Sequence, residues 1–266
     1  MHGSSYYNLA LKDIVQGFSK WQLAWLLGIG DIKQRYARSK LGQFWITLSM
    51  LIFIVAIGVV YSFLFHQEIK SFLPYVSCNY VVWTWLSTSI IESSTVFVQA
   101  QGYIKQTPIP RSIFALRTII RNFVNFLHNI IIIFLVFVCM LHPISWNMFL
   151  VIPGIFFILC CGFFSSLCLG VICTRFRDLP QIVQAIMQIL MFLTPVMWPV
   201  SSLSKNAQAI VEYNPMAALM HVVSKPFLGI VPDMSDYILS SITLLVLMIG
   251  SGYIFARFRA RIVYWL

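Results

Sequence analysis

Five stretches of this chain carry no Asp, Glu, Lys or Arg: 41–67, 71–91, 122–174, 179–204 and 237–256. A helix needs roughly 20 apolar residues to cross about 30 Å of hydrocarbon. Uncharged runs of that length read as membrane spans. Four stretches hold one crossing each. The stretch 122–174 is long enough for two, and its middle, LHPISWNM at 141–148, has the Pro, Ser and Asn of a tight turn, so it divides there. The expectation is an all-α integral membrane protein with six transmembrane helices at about 44–65, 73–98, 121–141, 149–173, 179–200 and 237–256. A cytoplasmic segment, 1–43, precedes them and a basic cytoplasmic tail, 257–266, follows. At 59% hydrophobic and 10% charged, the composition agrees. The first span has no small-residue cleavage site after it, so it reads as part of the mature protein and not as a signal peptide.

Charge orients the spans. Lys12, Lys20, Lys33, Arg35, Arg38 and Lys40 precede span one, and Lys105, Arg111, Arg117 and Arg121 follow span two. Arg175 and Arg177 follow span four, and Arg257, Arg259 and Arg261 follow span six. The other connections hold only Lys70, Lys205 and Lys225 of the 18 basic residues. By the positive-inside rule both termini are cytoplasmic. The net charge of +10 is then mostly a topological signal, and lipid phosphate is a better partner for it than nucleic acid.

The basic collar GDIKQRYARSKLGQFW, 30–45, ends a segment in which Trp21, Trp25, Ile29, Ile32 and Tyr36 fall in one narrow stripe at 100° per residue, with Lys33 to one side and Arg35 to the other. That is the pattern of a helix lying in the membrane surface, indoles at headgroup depth and basic side chains reaching phosphate. Gly28 and Gly30 weaken its middle. The charges either anchor span one or belong to a helix with its own role, in which Arg35 and Arg38 receive a lipid phosphate.

After span two, in QGYIKQTPIPRSIFALRTIIRN at 101–122, Pro108 and Pro110 stop the helix and a new amphipathic one starts near Arg111. A short stiff element is left projecting. Tyr103 and Ile104 put apolar surface on it, which suggests a docked partner. Between spans five and six, Asn214 and Pro215 read as the N-cap and first residue of a helix too short to cross, with another short helix before it. Pro195 and Pro199 in FLTPVMWPV should kink the end of span five and free carbonyls that must face a pore mouth or packed protein. Glu92, the acidic residue within a span, is either wet near the cytoplasmic end of span two or paired with Arg117 or Arg121. The six Cys fall inside spans with no CxxC pair and read as buried thiols.

No G-x-x-x-x-G-K-[ST] occurs, nor any Gly-Lys dipeptide, so the chain has no P-loop with which to hold ATP. Acidic residues are scattered, which argues against a membrane glycosyltransferase. No matching broken helices in two halves suggest an inverted-repeat transporter, the ATPase-independent alternative.

Taken together, the collar, YIKQTPIPRSIFALR, RFRDLPQIVQAIMQILMFLTPVMWPV, YNPMAALMH and the tail ARFRARIVYWL occur in the order seen in the permease subunits of bacterial ATP-binding-cassette polysaccharide exporters. The chain resembles the O-antigen exporter permeases most, with capsule and teichoic acid exporter permeases close, and drug or small-lipid exporters of the same superfamily as the alternative. The resemblance implies a non-enzymatic subunit of the bacterial inner membrane that pairs with a second copy of itself and two copies of a separate ATPase. ATP and Mg bind the ATPase, and the cargo is a lipid-linked polysaccharide. It also implies that Tyr103, Ile104, Lys105, Pro108, Pro110 and Arg111 form the ATPase-coupling element, and that Trp21, Trp25, Lys33, Arg35, Tyr36 and Arg38 lie on an interface helix beside the lipid. The short helices of the last external loop then form a gate. Candidates for aromatic or gating contacts with the polymer are Tyr61, Trp83, Trp85, Glu92, Trp198, Pro195 and Pro199.

Overall fold

The computed structural model describes residues 3–37, 42, 44–200 and 204–266, and no strand occurs among them. In chain order the helices are α1 (Gly3–Ser19), α2 (Trp21–Tyr36), α3 (Phe44–Leu64), α4 (Ile69–Gln99), α5 (Gln101–Gln106), α6 (Ser112–Met140), α7 (Val151–Arg175), α8 (Leu179–Leu193), α9 (Lys205–Glu212), α10 (Pro215–Phe227), α11 (Met234–Phe258) and α12 (Ile262–Trp265). Five are long and apolar enough to cross a bilayer: α3, α4, α6, α7 and α11. At one end of the bundle α1, the α5–α6 turn, and the ends of α7 and α11 meet, joined by Arg259 to Asp13 and by Arg177 to the Trp265 carbonyl. This is the basic end.

The helix expected over 179–200 stops at Leu193. Thr194 precedes Pro195, whose ring pushes the residue before it out of the helical region, and Thr194 accordingly sits at φ −104 and ψ 138. The 15 residues of α8 reach only about 22 Å at the helical rise of 1.5 Å, short of a full crossing. Arg177 meets the Trp265 carbonyl at the basic end and the Pro195 carbonyl meets Tyr75 at the opposite end, so α8 and the turn after it link the two ends. At the other terminus two helices stand where one was expected. They are separated at Lys20, and α2 runs unbroken through Gly28, which packs on α6, and through the exposed Gly30.

The core is organised around α4. Trp83 and Trp85 are buried, and Trp85 stacks on Phe126 of α6 with centroids 4.1 Å apart. Lower in α4, Ser93 Oγ donates to the Ser89 carbonyl at 2.6 Å and lies 2.8 Å from Ser166 Oγ of α7, so the hydroxyls are satisfied where the two helices touch. Lipid tails are as apolar as Leu, so close backbone approach and polar pairs, not burial from water, favour such contacts. Gly154 in α7 is such an approach: a Cβ there would overlap the Val222 carbonyl of α10.

Opposite the basic end, α10 begins at Asn214, whose side chain accepts from Met216 N at 2.9 Å, with Pro215 at the first helical position. It buries Ala217 to Met220, Val222 to Ser224 and Phe227 against α4, α7 and α11, so this short helix dips into the bundle instead of lying on its surface. Lys225 joins it to the start of α11 through Asp233 and through Asp236 at 2.7 Å. Burial alone would lower the Lys225 pKa, but hydrogen bonds and charge from Asp233 and Asp236 outweigh it and hold the ammonium above its ordinary value.

Candidate functional site

The basic end begins with α2 lying along α6. Ala24 and Ile32 are buried, and a Cβ on Gly28 would come within 3.0 Å of the Arg117 carbonyl. Trp21 and Trp25 stay 56% and 48% exposed. The expected stripe is therefore divided: Ile32 turns to the bundle and the indoles flank the contact. Hydropathy draws attention to the large residues, whereas close helix packing selects the small ones at Ala24 and Gly28. Lys33 and Arg35 are exposed. Arg38 and Lys40 lie outside the described residues, and of Tyr36 only the backbone, ending α2, is described.

Behind α2 is a network of charges. Asp31 accepts from Arg117 Nε at 2.7 Å and from Arg121 Nη1 at 2.8 Å. Arg121, 4% exposed, also donates from Nη2 to Glu92 at 2.7 Å and to Gln99 Oε1 at 3.3 Å. Arg35 stands 3.7 Å from the other Glu92 oxygen. Glu92 is thus paired with Arg121, one of the two partners its sequence position allowed, and it belongs to this network. Three helices, α2, α4 and α6, are tied through one guanidinium. Removing one member of such a buried set leaves an uncompensated charge, which typically costs about 3–5 kcal/mol.

A second carboxylate holds the turn before α6. Asp13 of α1 is buried and accepts from Arg111 N at 3.2 Å, Ser112 N at 3.0 Å and Ser112 Oγ at 2.9 Å. An anion at a helix N-terminus satisfies free amides and meets the positive end of the dipole. Arg259 Nη1 reaches the same carboxylate at 2.8 Å. A Cβ on Gly17, one turn on, would collide with Ser112 Oγ.

These contacts fix the projecting element α5. Thr107 closes it, donating from N at 3.0 Å and Oγ1 at 2.8 Å to the Tyr103 carbonyl. Tyr103 is 44% exposed, with the Arg117 guanidinium 5.5 Å from its ring centroid. Lys105 and Pro108 are exposed and Arg111 is half-buried. Ile104 and Pro110 are not docking surface. Both are buried, Ile104 among Phe97, Phe114 and Ile262 of its own chain, because the C-terminal α12 folds under α5.

At the far end, the broken α8 is capped by side chains. Tyr75 Oη lies 2.8 Å from the Pro195 carbonyl and 2.9 Å from that of Trp198. The Trp198 indole donates to the Phe192 carbonyl at 3.2 Å, and Asn214 Nδ2 bonds Thr194 Oγ1 at 3.1 Å. The carbonyls that Pro195 and Pro199 were expected to free are met by packed protein. Pro195 is buried, Pro199 and Trp198 are half-buried, and Tyr61 of α3 is half-buried with its ring 5.7 Å from Phe65. Trp83 and Trp85, candidates for contact with a polymer, are instead buried in the core of this chain. Cys139 is exposed, while Cys78, Cys161 and Cys173 are buried.

Sequence reasoning missed Asp13 and Asp31. Each is a single acid in a basic segment, and the only available signal was that an unpaired carboxylate there would be out of place. Among the described residues no group of three His, Cys, Asp or Glu is placed to hold a metal. An exposed Tyr103 meets Arg117 of α6, which bonds Asp31 of α2, and Asp31 in turn is joined through Arg121 to Glu92 of α4.

Residues 22–228 match the ABC-2 type transporter family. The O-antigen export system permease protein RfbA of Klebsiella pneumoniae is 24% identical over 192 residues, covering 71% of this chain and 74% of that protein. A second RfbA from the same organism is 25% identical over the same shares. The O-antigen export system permease protein RfbA of Myxococcus xanthus is 22% identical, again over 71% and 74% of the two chains.

Proposed function

Because the chain belongs to the ABC-2 type transporter family, we propose that it is the membrane-spanning permease subunit of an exporter that moves lipid-linked polysaccharide of the O-antigen type across a bacterial inner membrane. A separate ATPase, holding ATP and its magnesium ion, drives it. Two ATPase copies serve two copies of this chain. The basic end faces the cytoplasm, in keeping with the positive-inside rule.

The observation that carries the coupling role is the division of α5 and its turn into two sides. Ile104 and Pro110 anchor it to the chain, while Tyr103, Lys105 and Pro108 stand exposed at its tip. Movement imposed on that tip passes through Arg117 to Asp31 and through Arg121 to Glu92. The interface helix α2, with Trp21, Trp25, Lys33, Arg35 and, farther on, Arg38, then shifts beside the route by which the lipid-linked polymer arrives. The conduit runs between the two copies along α8. On that helix Gln181, Gln184 and Gln188 recur at helical spacing and are all exposed. An amide facing hydrocarbon without a partner is costly, so a second copy or a polar cargo covers this face.

The test alters only the exposed side, as Tyr103→Ala, Lys105→Glu and Pro108→Ala together. The variant is expected to insert and to keep its thermal stability while losing ATPase co-purification and polymer export. Full ATPase binding and export from that variant would remove α5 from the coupling role.

A further inference from the structure

Exposed basic groups gather in the tail as well as in the collar before span one. Arg35 already faces Glu92, whereas two tail arginines, Arg257 and Arg261, are exposed and have no carboxylate within ion-pair distance among the described residues. Both stand at an open cavity of about 540 Å³ between α1 and the end of α11, lined also by Tyr6, Tyr7 and Tyr253. The third tail arginine explains why that cavity has a fixed shape. Arg259 turns inward to Asp13 and, at 3.0 Å, to the Leu9 carbonyl, so α1 is pinned against α11 just beside the cleft.

Beside the cleft the Arg257 and Arg261 guanidinium groups both lie near the Phe258 ring, 5.9 Å and 5.7 Å from its centroid. Arg257 Nη1 donates to Tyr253 Oη at 3.2 Å, which leaves the phenol proton free to donate elsewhere. Guanidinium forks and phenol hydroxyls are donors suited to the oxygens of a phosphate. The depth of the site identifies the source of that phosphate. Along the exposed side of α11, Ile242, Val246, Ile249 and Tyr253 form an apolar strip, and Arg257 comes one turn beyond it. The donors therefore lie where hydrocarbon gives way to headgroups, with tyrosines at the boundary they favour.

We propose that the cleft between α1 and α11 binds the phosphate-bearing headgroup of an anionic membrane lipid through Arg257 and Arg261. The lipid's chains lie along α11, and the bound headgroup braces α1, whose Asp13 holds the start of α6. The site is separate from the α2 collar and does not depend on which polymer is exported.

The purified full chain in detergent is titrated with phosphatidylglycerol, and bound lipid is counted by native mass spectrometry. Phosphatidylglycerol is expected to be retained and phosphate-free diacylglycerol not. Arg257→Gln with Arg261→Gln should weaken retention roughly 30-fold, about 2 kcal/mol, since each basic residue near an anionic surface contributes about 1 kcal/mol. Arg257→Lys with Arg261→Lys keeps the charges and should recover most of it, which separates charge loss from misfolding. Equal retention by the wild type and the Gln pair would overturn the proposal. So would displacement of the lipid by an equal concentration of soluble glycerol phosphate, which would make this a site for free anions.

Discussion

Helices α4 and α8 have similar apolar sequences and opposite surroundings. Along α4, buried residues recur from Phe72 to Phe97, while in α8 Met187 is the one buried residue and Ile182, Ile186, Ile189 and Phe192 are all exposed. In water such a strip would have to be buried within its own chain, but in a bilayer lipid satisfies an isoleucine as well as protein does. The difference must therefore be read from small and polar residues. Those of α4, such as Ser89 and Ser93, are engaged with α7 or their own backbone, whereas the glutamines of α8 point outward. One helix is held within the core of the chain and the other keeps most of its side chains exposed.

The sharpest test of that contrast is electrostatic. Arg121→Met strands Glu92 of α4 and leaves Asp31 of α2 to Arg117 alone, and is expected to destabilise the purified protein by about 3–5 kcal/mol. Thermal unfolding in detergent measures it, and Glu92→Gln added to Arg121→Met should restore part of the loss. Trp85→Ala comes next, opening a cavity beside Phe126 at a cost of about 3 kcal/mol. Ile186→Ala, made in parallel on α8, should leave the melting temperature nearly unchanged. An equal loss at both sites would show that α8 is packed within one protomer and end the comparison.

Much of this contrast was hidden in the sequence for identifiable reasons. Uncharged runs place helices well because length and charge are local properties, and the Asn214 cap was readable because its bond is made two residues away. The end of α8 was misplaced by seven residues in the expectation 179–200, although Pro195 marks it. Hydropathy continues through PVMWPV, whereas the backbone leaves the helix before Pro195 and its carbonyls are met by Tyr75, far away in sequence. Trp83 and Trp85 stand among the candidates for polymer contact because a tryptophan stacked in a core and one facing a polymer have the same local sequence. Asp13 and Asp31 were invisible because their partners, Ser112, Arg259, Arg117 and Arg121, are brought to them by the fold alone.

Where the two helices touch, Tyr75 joins them, and a smaller effect is expected. Tyr75→Phe keeps the ring and removes the hydroxyl that meets the Pro195 and Trp198 carbonyls. The loss should be about 1–3 kcal/mol, as for other buried acceptors left without a donor. Proteolysis of the 194–200 segment should speed up more than global unfolding, since α4 itself is untouched. Unchanged cleavage would mean that the prolines alone hold the break.

The smallest expected effect on stability bears most directly on what α8 is for. Gln184→Leu with Gln188→Leu changes two exposed positions that no other helix of the protomer covers, so stability should move by no more than about 0.5 kcal/mol. Three outcomes are then distinct. If the glutamines face the cargo between two copies, cross-linked dimers form as before and polymer export falls, because the conduit has lost amides that exchange hydrogen bonds with sugar hydroxyls. If they join the two copies directly, dimer yield falls together with export. If neither changes, lipid tolerates the amides as they stand, and α8 loses its claim to the conduit while α4 keeps its place at the centre of the protomer.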